Sequence, residues 1–299
     1  MAISKVRVKI NNVWTNLTYN SSTGKYEGTI AAPAVTSYNL SGRYYPVTIE
    51  ATNDAGTVTT KDATDATIGS SLRLTVKEKT KPVITLTQPT NGTYTQNNVL
   101  PIKFNVTDET NGSGVNSGSI VCKVDGTTVS LTKTAITNGY QCTYTPSAAL
   151  SDGSHTIAIT ASDNDGNAAT AVSAAFTVDT IPPTLTITEP TKSITNQPTC
   201  TVKGSTNDAT SSPVSVQITH NSNTAVTVSV GSDGGFAKDL TLTEGDNTIK
   251  VVSTDKSGRS TTVTKTIKLD TSIPEVRNVH FAPNPVDVSA PVTITLEVV

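Results

Sequence analysis

Asp163-Asn164-Asp165-Gly166-Asn167 is the densest run of oxygen donors in the chain. Oxygen ligands at alternate positions suit a hard cation, and Asp163, Asp165 and Asn167 fall at positions 1, 3 and 5 of a calcium-loop pattern. Gly166 comes two residues ahead of the pattern's glycine, where Ala168 stands, and Ala174 replaces the bidentate acid at position twelve. A hairpin turn accounts for the same residues more simply. If Ca2+ binds, Asp163, Asp165, Asn167 and Asp108 are its expected ligands. Asp108 and Glu109 with the linker residue Asp179 or Asp270 are the set expected to stiffen a joint between modules. Lys256 sits inside the equivalent turn of a later copy, Asp255-Lys256-Ser257-Gly258, where its charge opposes a cation. Ca2+ is the only cofactor that the residues suggest.

Other reactive side chains are isolated. His155, His220 and His280 stand singly, with no second His, Cys or acid at metal-ligand spacing. Asp152, Ser154 and His155 are the types of a nucleophilic triad, but they are nearly contiguous on one turn, whereas a triad converges from separate segments. No glycine-rich loop leads into a helix. The expectation is a protein without catalytic residues, not an enzyme. Cys122 and Cys142 lie in neighbouring strands, so a disulfide between them is one reading. Small core fillers, with Cys200 as a third, is the other. Trp14, Tyr19, Tyr26, Tyr38, Tyr44 and Tyr45 crowd the first 45 residues. They suit either a partner-binding face, a cell-surface glycan being the natural ligand, or the core of a small domain.

The elements that carry these residues are strands. The chain has 299 residues, of which 35% are hydrophobic, below the ~45–50% of an ordinary globular chain, so several small cores are expected in place of one large core. Thr and Ser abound and Met occurs once, a bias toward half-wet sheet faces. No stretch keeps helical apolar spacing. A net charge of −2 with scattered Lys and Arg disfavours nucleic acid as a partner. No segment approaches the ~18–20 consecutive apolar residues of a membrane span.

One pattern occurs three times. Val47, Ile49 and Ala51 precede Asn53-Asp54-Ala55-Gly56; Ile157, Ile159 and Ala161 precede Asp163 to Gly166; Ile249, Val251 and Ser253 precede Asp255 to Gly258. Alternation at period two marks a strand with one buried face, and an Asx-rich cluster ending in Gly marks a tight hairpin. Expected returning strands carry Leu72, Leu74 and Val76 in the first copy. Val172, Ala174, Phe176 and Val178 do so in the second, and Val263, Ile267 and Leu269 in the third. The copies recur at roughly the 100-residue length of a two-sheet sandwich. The joins repeat as well: Pro82-Val-Ile-Thr-Leu-Thr-Gln-Pro89 answers Pro183-Thr-Leu-Thr-Ile-Thr-Glu-Pro190.

The run Leu185-Thr-Ile-Thr-Glu-Pro190, the glycine-rich Gly231 to Phe236, Leu242-Thr-Glu-Gly-Asp-Asn-Thr-Ile249 and the Asp255 to Gly258 hairpin resemble the bacterial Ig-like domain family. So does Leu150-Ser-Asp-Gly-Ser-His-Thr-Ile157 running into Asp163. The resemblance is close over the second and third modules and slight over the first. The order of modules also resembles Ig-repeat proteins encoded near tail genes in prophages of Gram-positive bacteria. These likenesses imply an all-β chain of tandem immunoglobulin-like β-sandwich domains. The expected domains are residues 1–79 (divergent and aromatic-rich), 80–180 and 181–272. Proline-containing linkers should set them in a semi-rigid rod on the order of 100 Å long.

Residues 273–299 read as two strands around Ala282-Pro-Asn-Pro285, too few to bury a core alone. They are expected to pack on the third module, to open a further Ig-like domain, or to pair with a neighbouring subunit by strand addition. The resemblance implies a structural or display protein of a phage or prophage particle, a tail or decoration component that aids host-surface attachment. The first residues, Ile3 to Ile10, read as a strand and not as a secretory signal. That favours a virion-associated protein made in the cytoplasm, with partners among the protein subunits of a larger assembly, including copies of itself. The alternatives are an extracellular adhesin or cell-wall stalk, and an accessory carbohydrate-binding array.

Overall fold

The computed structural model describes residues 2–299. Among them there is no α-helix, only strands and three short 3-10 turns. Two compact units divide the chain, one ending at Val178 and the other running from Asp179 to Val299.

In the first unit, residues 83–178 form two antiparallel layers. One sheet has the order Thr132–Ile136, Gly139–Tyr144, Ile102–Thr107, Val83–Gln88. The other runs Thr127–Thr128, Val121–Val124, Gly153–Thr160, Val172–Val178, with Thr93–Thr95 added in parallel at its edge. Strand Ile102–Thr107 buries Ile102, Phe104 and Val106 completely, and the facing sheet buries Ile157, Ile159, Phe176 and Val178. These side chains make one core, as alternation at period two requires when each sheet has a single dry face.

The second unit repeats the plan. A three-stranded sheet, Thr184–Glu189, Thr199–Asn207, Gly235–Thr241, provides Val202 and Phe236 to a shared core. A five-stranded sheet built on Ser215–His220, Gly245–Thr254 and Ser260–Leu269 provides Val216, Ile218, Ile249, Val251 and Ile267.

Residues 3–74 differ. They build one six-stranded sheet, in the order Lys25–Glu27, Val13–Asn20, Ile3–Ile10, Tyr45–Asn53, Val58–Lys61, with Arg73–Leu74 paired to Tyr45 and Pro46. Val6, Val8, Tyr45 and Leu72 are buried, while the central strand Tyr45–Asn53 is otherwise only half-buried. The strand that returns from the first hairpin is Val58–Lys61, not the expected run through Leu72, Leu74 and Val76. An eleven-residue excursion separates the two, and only Leu74 of that trio lies in a strand.

The three hairpins themselves match the sequence reading. Gly56, Gly166 and Gly258 all take positive φ. In each copy the Asx oxygen accepts the amide four residues on: Thr57 N to Asn53 Oδ1 (2.9 Å), Asn167 N to Asp163 Oδ1 (2.8 Å) and Arg259 N to Asp255 Oδ1 (3.0 Å). A reciprocal backbone bond closes the same turn in all three.

The strands Val276–Ala282 and Thr293–Val298 pair only with each other. Every residue from 271 to 299 is exposed, among them Ile273, Val279, Phe281 and Leu296. The expected packing of this pair on the third module is therefore not formed; its apolar side chains face solvent.

The two-layer design predicts where truncation hurts most. Phe104→Ala, at a fully buried site, should lower stability by about 3–5 kcal/mol, read as a lower urea midpoint for the first unit's transition. An exposed control such as Val288→Ala should leave that midpoint in place.

Candidate functional site

The ends of the sandwich strands gather acids from three segments. In the first unit Glu78 lies on the connecting segment, Asp108 directly follows Ile102–Thr107, and Asp163 heads the hairpin after Gly153–Thr160. Each offers a carboxylate oxygen within 4.8 Å of the others. The loops hold these groups by some of their oxygens and leave others bare. Gly114 N donates to Asp108 Oδ2 (2.8 Å) and Ser113 N to Glu78 Oε1. Asp108 Oδ1, Glu78 Oε2 and the neighbouring Glu109 Oε2 are buried with no hydrogen-bond partner. Burial pushes the Glu78 carboxyl above its ordinary pKa, and the adjacent Glu109 adds to the rise. Burial does the same to Asp108, with the charge of Glu78 contributing.

The second unit contains the same arrangement. Asp179 opens the unit, Asp208 directly follows Thr199–Asn207, and Asp255 heads the hairpin after Gly245–Thr254. Their oxygens again lie within 4.8 Å of one another, and the three residues are 0%, 8% and 6% exposed. Asp208 Oδ1 accepts from Thr210 N (2.8 Å) and Ser211 N (2.7 Å). Asp179 accepts from Ile181 N (3.1 Å) and from the Ser211 hydroxyl. Asp255 Oδ1 takes Arg259 N and the Ser257 hydroxyl, while Asp255 Oδ2 is buried and unpartnered. The ion pairs made by Arg7, Lys61, His155, Lys268 and Arg277 engage other carboxylates.

Of the four ligands expected from sequence, Asp108 and Asp163 meet at the first cluster. Asp165 does not join them. Its Oδ2 accepts from Thr36 Oγ1 (2.5 Å) and Glu78 N (3.1 Å), so it ties the connecting segment to the hairpin. Asn167 uses its amide nitrogen to donate to Asp163 Oδ2 (2.7 Å). Asp270 is bonded to Ser272 and Lys268, away from either cluster, whereas Asp179 is central to the second. Lys256 is exposed while Asp255 beside it is buried, and Arg259 Nε, four residues on, is buried without a hydrogen-bond partner. Glu78, Asp208 and Asp255 were missed, although one signal was present. Glu78 stands four residues before Pro82 and Asp179 four before Pro183, in the repeated join.

The remaining candidates serve packing. His155 Nδ1 meets Asp125 Oδ2 at 2.7 Å and Nε2 meets Ser151 O at 2.8 Å, so neither nitrogen faces Ser154 or Asp152. His220 Nε2 is bonded to the buried Asn247 (2.9 Å). All three cysteines are free and buried, so the disulfide considered for Cys122 and Cys142 is not formed; they sit on facing sheets of one core. Burial raises the Cys122 thiol to about 11, with Cys142 adding to the rise. Cys200 borders a groove of about 390 Å³ with Glu189 and Lys203. Burial and then Glu189 and Asp239 raise its pKa too, the reverse of what a nucleophilic thiol needs.

The first module's aromatics do not share one platform. Arg7 covers Trp14 at 4.1 Å, Arg43 covers Tyr38 at 4.3 Å, and Arg73 covers Tyr44 at 4.9 Å. Tyr45 is buried and donates to Val35 O (3.0 Å). Tyr19 and Tyr26 form a tilted pair 5.3 Å apart beside a shallow groove that includes Ile3, Lys5 and Asn16.

Residues 78–180 match the family model described as Bacterial Ig-like domain, and residues 183–271 match the model described as Glucodextranase, domain B. Solved structures similar to the chain include fibronectin(III)-like modules of Clostridium thermocellum CbhA (19% identity, TM-score 0.40, covering 62% of this chain and 93% of that one). A tetra-tandem repeat from the extending region of a large adhesion protein is similar at 18% identity and TM-score 0.33 over 98% of this chain and 79% of that one. The D00-D0 domain of Intimin is similar at 13% identity and TM-score 0.30 over 62% and 98%. No curated protein matches. Residues 83–269 are a tandem of immunoglobulin-like β-sandwich domains, and residues 78–180 match the bacterial Ig-like model.

The His155 pair gives a pH dependence with a defined sign. Burial alone would lower the imidazole pKa, but the hydrogen bonds to Asp125 and Ser151 O outweigh it, and the net shift is upward. A raised folded-state pKa means that the stabilisation is complete below the unfolded value, about 6.5, and is lost as pH rises through the folded value. The melting-temperature difference between wild type and His155→Gln should therefore be largest at about pH 5.5 and below, roughly one unit under the unfolded value, and shrink on the alkaline side. A difference that is constant with pH would remove the charged pair from the account.

Proposed function

We propose that the chain is a non-enzymatic structural and display protein, a tail or decoration component of a phage or prophage particle that aids attachment to a host surface. Its partners in this reading are protein subunits of the particle, including further copies of the chain. A host-surface glycan is the proposed ligand on the outer side, with the Tyr19–Tyr26 pair as its contact.

The observation that carries the reading is the exposed strand pair, Val276–Ala282 with Thr293–Val298. Both faces of this ribbon are wet although it holds Val276, Val279, Phe281, Ile294, Leu296 and Val298. Two strands do not hold together on their own in water; such apolar faces are covered either by the rest of a further domain or by a partner strand, and the proposal takes the second. The reactive side chains support the same view, since His155, His220 and the thiols are bound up in packing within their own modules.

A second reading is favoured by the match of residues 183–271 to domain B of a glucodextranase, which suits an accessory array beside a catalytic domain. A stalk or adhesin on a bacterial surface uses the same modules in the same way.

Electron microscopy of the purified protein beside particles from its source distinguishes these. The proposal expects density on the particle, and it expects removal of residues 273–299 to abolish incorporation while the remaining modules keep their melting transition. Chains absent from every particle and present in the cell-wall fraction would replace the particle reading with the surface one.

A further inference from the structure

We propose that the two carboxylate clusters are Ca2+ sites, one ion held by Glu78, Asp108 and Asp163 and a second by Asp179, Asp208 and Asp255. The inference is independent of which particle or surface carries the chain.

The first support is chemical. Three carboxylates gathered in a largely buried volume repel one another, and an isolated buried carboxylate costs far more than hydrogen bonds from loop amides return. Asp108 (8% exposed) and Asp255 (6% exposed) each keep one buried oxygen that no donor reaches, and so do Glu78 Oε2 and Glu109 Oε2, which lie with Asp108 around Gly112. Unpartnered buried oxygens are rare in folded proteins and call for a counterion. Every donor available is oxygen, which selects a hard cation over zinc or copper. The spacing also agrees. Ca2+ holds its ligands at about 2.3–2.6 Å, so oxygens on one ion lie no more than ~5 Å apart, and both clusters satisfy that limit. Mg2+ demands shorter bonds and near-octahedral geometry, which loops already fixed by backbone hydrogen bonds fit less well.

The second support is repetition. Linker acid, strand-end acid and hairpin acid recur in both units, although little else in the loops is shared: Gly112-Ser113-Gly114 lies beside the first site and Ser211-Ser212-Pro213 beside the second. In both hairpins the backbone amide four residues on holds Oδ1 of the aspartate, which fixes the carboxylate's orientation before any ion arrives. The linker acid is not a hairpin residue: Asp179 also holds its own turn through Ile181 N, whereas Glu78 reaches the distant Ser113 N. An ion at the first site would clamp the segment around Glu78 to the loops that already bond Thr36 and Asn39.

The full-length protein, stripped with EGTA, should be titrated with CaCl2 by calorimetry and then melted with and without the ion. Two ions per chain are expected, with a rise in melting temperature on the order of 5 °C in saturating Ca2+ and a smaller one in equimolar Mg2+. Asp108→Asn and Asp255→Asn should each reduce the stoichiometry to one. Each stripped variant should melt no lower than the stripped wild type, because a buried unneutralised charge has been removed. Glu78→Gln provides the same readout at the first site if Asp108→Asn does not fold. No heat of binding together with superimposable melts in EGTA and Ca2+ would overturn the proposal. Binding whose stoichiometry both variants leave unchanged would overturn it too.

Discussion

A strand that buries every second side chain needs a second sheet to bury them against. That constraint organises most of this molecule. Ile157 and Ile159 find Phe104 and Val106 across the first sandwich, and Ile249 and Val251 find Val202 and Phe236 across the second. The apolar content is small, so each core is thin and the sheets must face each other closely. Where the partner sheet is lacking, alternation no longer yields a dry face. The strand Tyr45–Asn53 has the same pattern as its counterparts yet stays half-buried, and the ribbon at residues 276–298 stays wet throughout.

The acids follow from the same geometry. Strands that end together deliver their loops to one end of a sandwich, so the residue after Ile102–Thr107 and the residue heading the hairpin after Gly153–Thr160 are brought side by side. Loop amides at the strand ends then find carboxylate oxygens as acceptors, which explains why Asp108, Asp208 and Asp255 are bonded to backbone nitrogens. What loop chemistry does not explain is the surplus of carboxylate over donors. The upward pKa shifts of Glu78 and Asp108 express that surplus, since each charge is disfavoured by burial and by an acidic neighbour. The sandwich thus supplies rigidity, and its loop end supplies concentrated negative charge.

Much of this was legible in the sequence. The positive φ at Gly166 and Gly258 and the Asx-to-amide bonds were implied by residue type and spacing, because a hairpin is a local structure. The second-copy strand through Val172, Ala174, Phe176 and Val178 was equally local, being the immediate return of a tight turn. In the first copy the same logic failed, since the eleven residues after Val58–Lys61 intervene before Arg73–Leu74 and nothing in their types fixes which run pairs. The site was half legible. Asp163 stands in an oxygen-rich run and Asp108 beside a second acid, but Glu78 reads as an ordinary charged linker residue and Lys256 next to Asp255 argues against a cation there. Whether a charge points into or out of a cluster depends on which side chain the turn buries, and that is decided by contacts distant in sequence. The aromatics illustrate the same limit. Arg7 on Trp14 joins near neighbours of adjacent strands, while Arg73 on Tyr44 spans nearly thirty residues and leaves no trace in spacing.

Hydrogen exchange on the full-length chain tests the two-layer account most directly. The account predicts the slowest amides at Ile157, Ile159, Ile249 and Val251, measurable protection at the hairpin amides of Asn167 and Arg259, and exchange close to that of an unstructured chain across residues 276–298. Protection spread evenly over all strands, or hairpin amides exchanging as fast as the terminal ribbon, would contradict it.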